Sequence, residues 1–135
     1  MSERTRALIT PDAVRRGLVG EVLGRYEAKG LAIVAMKMLT ISAEMADMHY
    51  AEHVERDFYP PLREFVTSGP MVALVLEGDA AIDVVRLLNG ATDGRKADPG
   101  TIRGDLSLSN RENLVHGSDS VESAQREIGL WFPDL

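Results

Sequence analysis

The sequence predicts an α+β fold, a ferredoxin-like βαββαβ sandwich: a four-stranded antiparallel sheet covered by helices on one face, with a long inserted loop before the last strand. Three observations lead there. Extended and helical runs alternate along the chain in that order, with no internal repeat between them. A single long irregular stretch, Ala91 to Asn110, interrupts the alternation just before the end. Finally, 135 residues with 44% apolar side chains suit one domain spanning 1–135, whose core closes without disulfides, since there are no cysteines.

Thr5 to Ile9 reads as the first strand. Thr10-Pro11-Asp12 is a helix start, with a hydroxyl at the cap, Pro in the first position and an acid in the first turn. Leu18, Val19, Val22, Leu23 and Tyr26 line one face of that helix, and Gly30 ends it. Leu31 to Leu39 is apolar at nearly every position and so predicts a central strand. Ser42 to His53 predicts a helix, Tyr59-Pro60-Pro61 a break, and Leu62 to Val66 a short helix. Ser68-Gly69-Pro70 turns into a strand over Met71 to Leu76. Asp79 to Leu88 has Ala81, Val84, Val85 and Leu88 at helical spacing, closed by Asn89-Gly90. After the irregular stretch, Asn113 to Gly117 predicts the last strand. Asp119-Ser120-Val121-Glu122 then starts a helix in capping-box style, with Val121, Ala124, Ile128 and Trp131 on its apolar side.

The charge balance narrows the function classes. With 15 Lys and Arg against 21 Asp and Glu, the net charge of −6 is wrong for a duplex-binding module and leaves room for a small anionic ligand. No sequence-specific nucleic-acid partner is expected. No window approaches the roughly 20 apolar residues of a membrane span, and the N-terminus lacks a secretory pattern, so a soluble cytoplasmic protein is expected. The absence of cysteine removes thiol nucleophiles and Cys-ligated metals.

Among the histidines, His49 and His53 are four apart but lack an HExxH pattern, so a helix-surface or structural role competes with metal binding. His116 ends the last strand, among the small residues of Gly117-Ser118-Asp119-Ser120 and before a capped helix whose N-terminus favours anions. Taken alone, it reads either as a packed structural residue or as one facing a ligand. Glu127, two turns into the same helix, is placed to accept a proton from one ring nitrogen and leave the other as a nucleophile. Arg86, Thr92, Arg95, Lys96 and Arg103 come from the long loop and the helix before it. Arg86 reads as a solvated helix face or a phosphate contact, and Arg103 as a salt bridge to Asp105 or a phosphate contact.

Asn113-Leu114-Val115-His116-Gly117-Ser118-Asp119-Ser120 occurs together with Pro99-Gly100-Thr101-Ile102-Arg103-Gly104-Asp105, Gly90-Ala91-Thr92-Asp93, Ser68-Gly69-Pro70 and His49-Tyr50. With these motifs the chain resembles the nucleoside diphosphate kinase family from about Arg4 to Phe132. The resemblance implies a ferredoxin-like core and a ping-pong transfer of the γ-phosphate of an NTP, typically ATP, to a nucleoside diphosphate through a phosphohistidine at His116. It implies that Glu127 and Ser118 orient the imidazole, and that Arg86, Thr92 and Arg103 contact phosphates. Asn113 would contact the sugar and the phosphate chain. Phe58 would stack on the base with Leu62 beside it, and Tyr50 would line the pocket. Mg²⁺ would ride on the nucleotide phosphates, with Asp119 at most a water-mediated partner. A homo-oligomer is implied, a hexamer in preference to a tetramer.

Thr10 is the main departure, since most of the family has Lys before Pro-Asp and that Lys reaches the transferred phosphate. Losing a contact of this kind costs about 10²–10³ in rate. Thr10 is therefore expected at the substrate site with activity reduced, the other reading being that it simply caps its helix. The alternative function is a nucleotide-binding regulatory or interaction protein with little turnover. Smaller departures are Asp57, Pro61 and Leu106.

Overall fold

The computed structural model describes residues 2–135. In chain order the elements are β1 (Ser2–Ile9), α1 (Pro11–Arg15), α2 (Val19–Lys29), β2 (Ala32–Leu39), α3 (Ala43–His49), α4 (Tyr59–Val66), β3 (Met71–Asp79), α5 (Ala81–Asn89), α6 (Ile102–Leu106), β4 (Val115–Gly117) and α7 (Val121–Trp131). The four strands form one antiparallel sheet in the order β2-β3-β1-β4. This is the predicted α+β ferredoxin-like arrangement, and the register places Leu8 directly opposite His116.

The sheet is covered on both faces, more fully than the one-sided sandwich expected. Ala7, Ile9, Leu74 and Leu76 pack with Val22 and Tyr26 of α2 and Val85 of α5 on one side. Leu8, Met71 and Ala73 pack with Ala46 of α3, Phe65 and Val66 of α4 and Trp131 of α7 on the other. Burial on both faces explains why β3 reads as an unbroken apolar run from Met71 to Leu76. β2 has the same composition but is an edge strand, not a central one. Its residues alternate between exposed and half-buried, and Val34, Met36 and Met38 face solvent. Apolar continuity records burial on two faces, and here one of those faces lies open in the isolated chain.

Local departures have local causes. The helix expected from Pro11 to Gly30 is two helices, because Gly17 turns the chain in the left-handed region (φ 71°) between α1 and α2. Gly30 ends α2 in the same region, as predicted. α3 starts where expected, with the Ser42 hydroxyl accepting from the Met45 amide, but stops at His49. His49 and His53 therefore do not share a helix face. Pro60 and Pro61 lie inside α4 and do not precede it, because first-turn amides have no helical partner and a proline there loses nothing. The irregular stretch contains α6, whose Thr101 hydroxyl accepts from the Gly104 amide at 2.9 Å. β4 is shorter than predicted because Leu114 sits in the left-handed region (φ 74°) just before it. In α7 the Ser120 hydroxyl accepts from the Ser123 amide, but position N3 is Ser123, so the reciprocal half of a capping box is missing.

Candidate active site

β4 and the start of α7 bring His116 to the meeting point of two cavities. One, of about 530 Å³, is bordered by Arg86 and Asn89 of α5, by Gly90 and Thr92, and by Arg103 of α6. The other, of about 330 Å³, is bordered by Arg6, His49, Tyr50, Phe58, Leu62 and Glu127. His116, Gly117 and Asp119 border both. The polar loop residues thus stand on one side of the imidazole and the aromatic residues on the other. A larger cavity of about 860 Å³ lies between α3 and α4, away from His116, and carries none of the predicted residues.

His116 is half-buried and its Nε2 is enclosed without a hydrogen-bond partner among the described residues. Burial lowers its pKa to about 3, with the positive charges of Arg103 and Arg6 adding to the effect. The ring is neutral at physiological pH, the state in which a ring nitrogen has a lone pair to offer.

Arg103 is buried and donates to three backbone carbonyls: Nε to Asn113 at 3.2 Å, Nη1 to Gly90 at 2.8 Å and Nη2 to Val115 at 2.5 Å. It does not pair with Asp105, which is held by Arg25 at 2.8 Å. Arg103 thus ties the loop to the strand carrying His116 while its guanidinium borders the cavity. Desolvation lowers its pKa from the ordinary value, with Arg86 adding repulsion. Arg86 borders the same cavity, with Nη1 at 3.5 Å from the Asp119 carbonyl oxygen. Arg95 is committed to Asp93 through Nε at 2.9 Å and Nη2 at 2.8 Å.

Asn113 is buried behind this wall. Its Nδ2 donates to the Thr92 and Asn110 carbonyls, both at 3.0 Å, and its Oδ1 has no partner among the described residues. Ser118 is also buried and donates to Glu127 Oε1 at 2.6 Å. Arg6 holds the same oxygen through Nη2 at 2.9 Å and Nε at 3.2 Å. Glu127 is therefore engaged by Ser118 and Arg6, while His116 Nε2 remains free. Asp119 has its pKa lowered by the Ser123 hydroxyl beside it.

On the aromatic side, Phe58 is 45% exposed, with the Arg56 guanidinium 5.4 Å from its ring centroid and the His53 ring 5.4 Å away. Tyr50 packs edge-on against His49 at 4.5 Å, and burial raises its phenol to about 12. His49 is buried, accepts a hydrogen bond from Trp131 and borders the cavity. Among the described residues no group of three or more His, Asp or Glu is placed to hold a metal ion.

Thr10 departs from the expectation. It occupies the N-cap position of α1 but makes no side-chain cap bond, because its hydroxyl donates to Asp12 Oδ1 at 2.5 Å. It is fully buried and borders neither cavity. The residue that sequence reading passed over is Arg6. No motif marks it, and the one signal is a cation inside a run otherwise reading as buried strand.

The nucleoside diphosphate kinase family model matches residues 3–135. A nucleoside diphosphate kinase from a Nocardioides species is 76% identical, with the alignment covering all of both chains. Another from Cutibacterium acnes is 62% identical over 98% of this chain and 96% of its own. Among solved structures, a halophilic nucleoside diphosphate kinase from Halobacterium salinarum in complex with CDP superposes with a TM-score of 0.96 at 47% identity, covering 99% of this chain and 90% of that one. The enzyme from Encephalitozoon cuniculi superposes with a TM-score of 0.95 at 39% identity, covering 98% and 90%.

Proposed function

The chain belongs to the nucleoside diphosphate kinase family and is a phosphotransferase acting on nucleotides, and we propose that His116 carries the transferred group. The observation that carries this reading is the position of His116 on the border between a cavity lined by Arg86, Thr92 and Arg103 and one lined by Phe58, Leu62 and Tyr50.

A γ-phosphoryl group of an NTP, typically ATP, meets the neutral imidazole. A nitrogen–phosphorus bond forms as the bond from phosphorus to the β,γ-bridging oxygen breaks, and the electron pair leaves with the diphosphate. One ring nitrogen of the neutral His116 makes the attack. A second nucleoside diphosphate then takes the group from the phosphohistidine, so one site serves donor and acceptor in turn. Arg86, Thr92 and Arg103 bind phosphate oxygens, and Asn113, with its Nδ2 committed to backbone, holds the loop that presents Thr92. Ser118, just after β4, and Glu127 of α7, joined by their hydrogen bond, support the ring. Phe58 offers a stacking face with Leu62 beside it, indifferent to base identity.

Kinases of this family work with a divalent cation, which we assign as Mg²⁺. Asp119, a single carboxylate bordering both cavities, fits a water-mediated partner for an ion held mainly by phosphate oxygens. When bound, the cation neutralises charge on the β- and γ-phosphates. The exposed apolar edge of β2 supports assembly with further copies of this chain, the hexamer being favoured over the tetramer. Among the described residues no helix is long and apolar enough to cross a membrane, and we place the protein in the cytoplasm. A nucleotide-binding protein with little turnover rests on Thr10 alone and is not favoured.

The test is incubation with γ-labelled ATP and Mg²⁺, followed by GDP or CDP. An acid-labile, base-stable phosphoprotein whose label passes to the added diphosphate is expected. No label on the wild type would sink the assignment of function, and undiminished label on His116→Ala would sink the assignment of the residue.

A further inference from the structure

Six buried side-chain polar atoms lack a hydrogen-bond partner among the described residues, and four of them belong to residues bordering the cavity of about 330 Å³: Arg6 Nη1, Tyr50 Oη, His53 Nδ1 and His116 Nε2. Buried polar groups in folded proteins are nearly always satisfied, so a cluster of exceptions around one cavity marks a place where a polar ligand completes them. Arg6 is the only one of the four that carries a permanent positive charge. It is 2% exposed, so its charge is held within the wall and not screened by bulk water.

The register of the sheet locates it. Leu8 stands opposite His116, and side chains of a strand alternate, so Arg6 lies on the same face as Leu8, about 7 Å away along the strand, while Thr10 follows the last residue of β1. Thr10 has the hydroxyl where the family has its phosphate-seeking lysine, and that hydroxyl is turned to Asp12. Arg6 uses Nε and Nη2 to hold Glu127, and its remaining nitrogen, Nη1, is uncommitted.

We propose that Arg6 supplies the positive charge beside the phosphoryl group on His116 that Thr10 cannot, with Nη1 donating to a phosphoryl oxygen. The inference rests on His116 being the phosphorylated residue. During transfer the nitrogen–phosphorus bond forms as the phosphorus–oxygen bond of the triphosphate breaks. The leaving diphosphate takes the electron pair, and Arg6 exchanges no proton because a guanidinium stays protonated throughout. Its role is to stabilise the oxygens that gain charge in the transition state. The planar fork of Arg lets one face hold Glu127 while another nitrogen reaches an oxygen, a division of labour that a lysine ammonium cannot make at two separated points.

The experiment measures the single-turnover rate of phosphohistidine formation from ATP in wild type, Arg6→Leu, Arg6→Lys, Thr10→Lys and Arg6→Leu combined with Thr10→Lys, each checked for folding by its thermal midpoint. Wild type labels at His116. Arg6→Leu is expected to lose about 10²–10³ in rate. Should Arg6→Leu melt below the assay temperature, Arg6→Lys, which keeps a cation for Glu127 but has no second nitrogen, is expected to fold and lose at least about tenfold. Thr10→Lys is expected to raise the rate of Arg6→Leu by a factor at least about tenfold larger than it raises wild type, the coupling expected of two residues serving one charge. A loss on Arg6→Leu below threefold, or equal gains from Thr10→Lys in both backgrounds, overturns the proposal. Equal gains would show that Arg6 acts only by holding Glu127, whose support of the ring a cation at position 10 does not restore. Absence of label on wild type overturns the underlying assignment of His116 instead.

Discussion

The indole N–H of Trp131, at the end of α7, donates to Nδ1 of His49, at the end of α3, at 3.0 Å. This bond requires His49 to be neutral with its proton on Nε2, and burial of the ring lowers its pKa to about 2. His49 packs edge-on against Tyr50, so the Trp131 bond also fixes the wall of the cavity beside His116. Trp131→Phe leaves a buried acceptor unpaired and is expected to cost about 1–3 kcal/mol of stability, measured by denaturant unfolding. A cost below about 0.5 kcal/mol would show that the bond is replaced by water.

Stability should fall as pH drops below about 6.5. In the native state burial holds His49 near 2 and His116 near 3, while both rings in the unfolded chain take up a proton at about 6.5. Over the window between these values the unfolded state binds more protons, so stability rises with pH and is lost on acidification. The slope for His49 is about 1.4 kcal/mol per pH unit. The carboxylates with lowered values, Asp47, Asp93, Asp105 and Asp119, act only below the ordinary carboxylate range, so the interval from pH 6.5 to about 4 belongs to the imidazoles. Thermal midpoints across that interval check this, and a flat profile would contradict it.

The His116 ring itself should stay neutral in the native protein from pH 8 down to 5. Its ring carbon resonances, followed by NMR in the unphosphorylated protein, are expected to remain at their neutral positions, whereas a ring of ordinary pKa would be half titrated near 6.5. A midpoint between 6 and 7 would show that His116 is solvated.

Phe58→Ala should weaken nucleotide binding without slowing the chemistry. Stacking on an aromatic ring is worth about 1–3 kcal/mol per base and ignores base identity. KM is therefore expected to rise about 5- to 150-fold for adenine, guanine and cytosine nucleotides alike, with kcat nearly unchanged. A rise confined to one base would argue for hydrogen-bonded readout instead.

Gly104→Ala should disable the loop. A Cβ at position 104 would lie 1.9 Å from the Asp98 carbonyl oxygen and 2.7 Å from the Thr101 hydroxyl, and both atoms belong to the turn that starts α6. The backbone has to move, taking the adjacent Arg103 from its three carbonyls. Loss of more than about 2 kcal/mol, together with loss of phosphohistidine formation, is expected. A melt and a single-turnover assay on one preparation read both effects.

Punctuation residues made much of this fold legible before the structure. Gly30, Ser42 and Ser120 act through their own backbone or hydroxyl, so their neighbours in sequence suffice to read them. Elements whose state depends on distant partners were harder. β2 looked central because apolar continuity does not say whether a neighbouring strand exists on each side. Pro60 and Pro61 looked like a break because the helix start that tolerates them lies only one residue earlier. At the site, His116, Arg86, Thr92, Phe58 and Leu62 were legible through the family resemblance, and the structure brings them to the two cavities. Arg6 was not, since its significance comes from a strand register that puts it two residues from the partner of His116.

Leu114 bears on how this chain can change. Its backbone lies in the left-handed region (φ 74°), uncommon for a leucine, while its side chain is fully buried and its amide donates to Asp12 Oδ2 at 3.1 Å. Glycine would relax the backbone, worth about 1–3 kcal/mol, but would empty a core position worth about as much or more. Neither residue is better on both counts, so drift at this position is boxed in from two sides. The residue two places before His116 is thus guarded by opposing physical demands and not by any part in the chemistry.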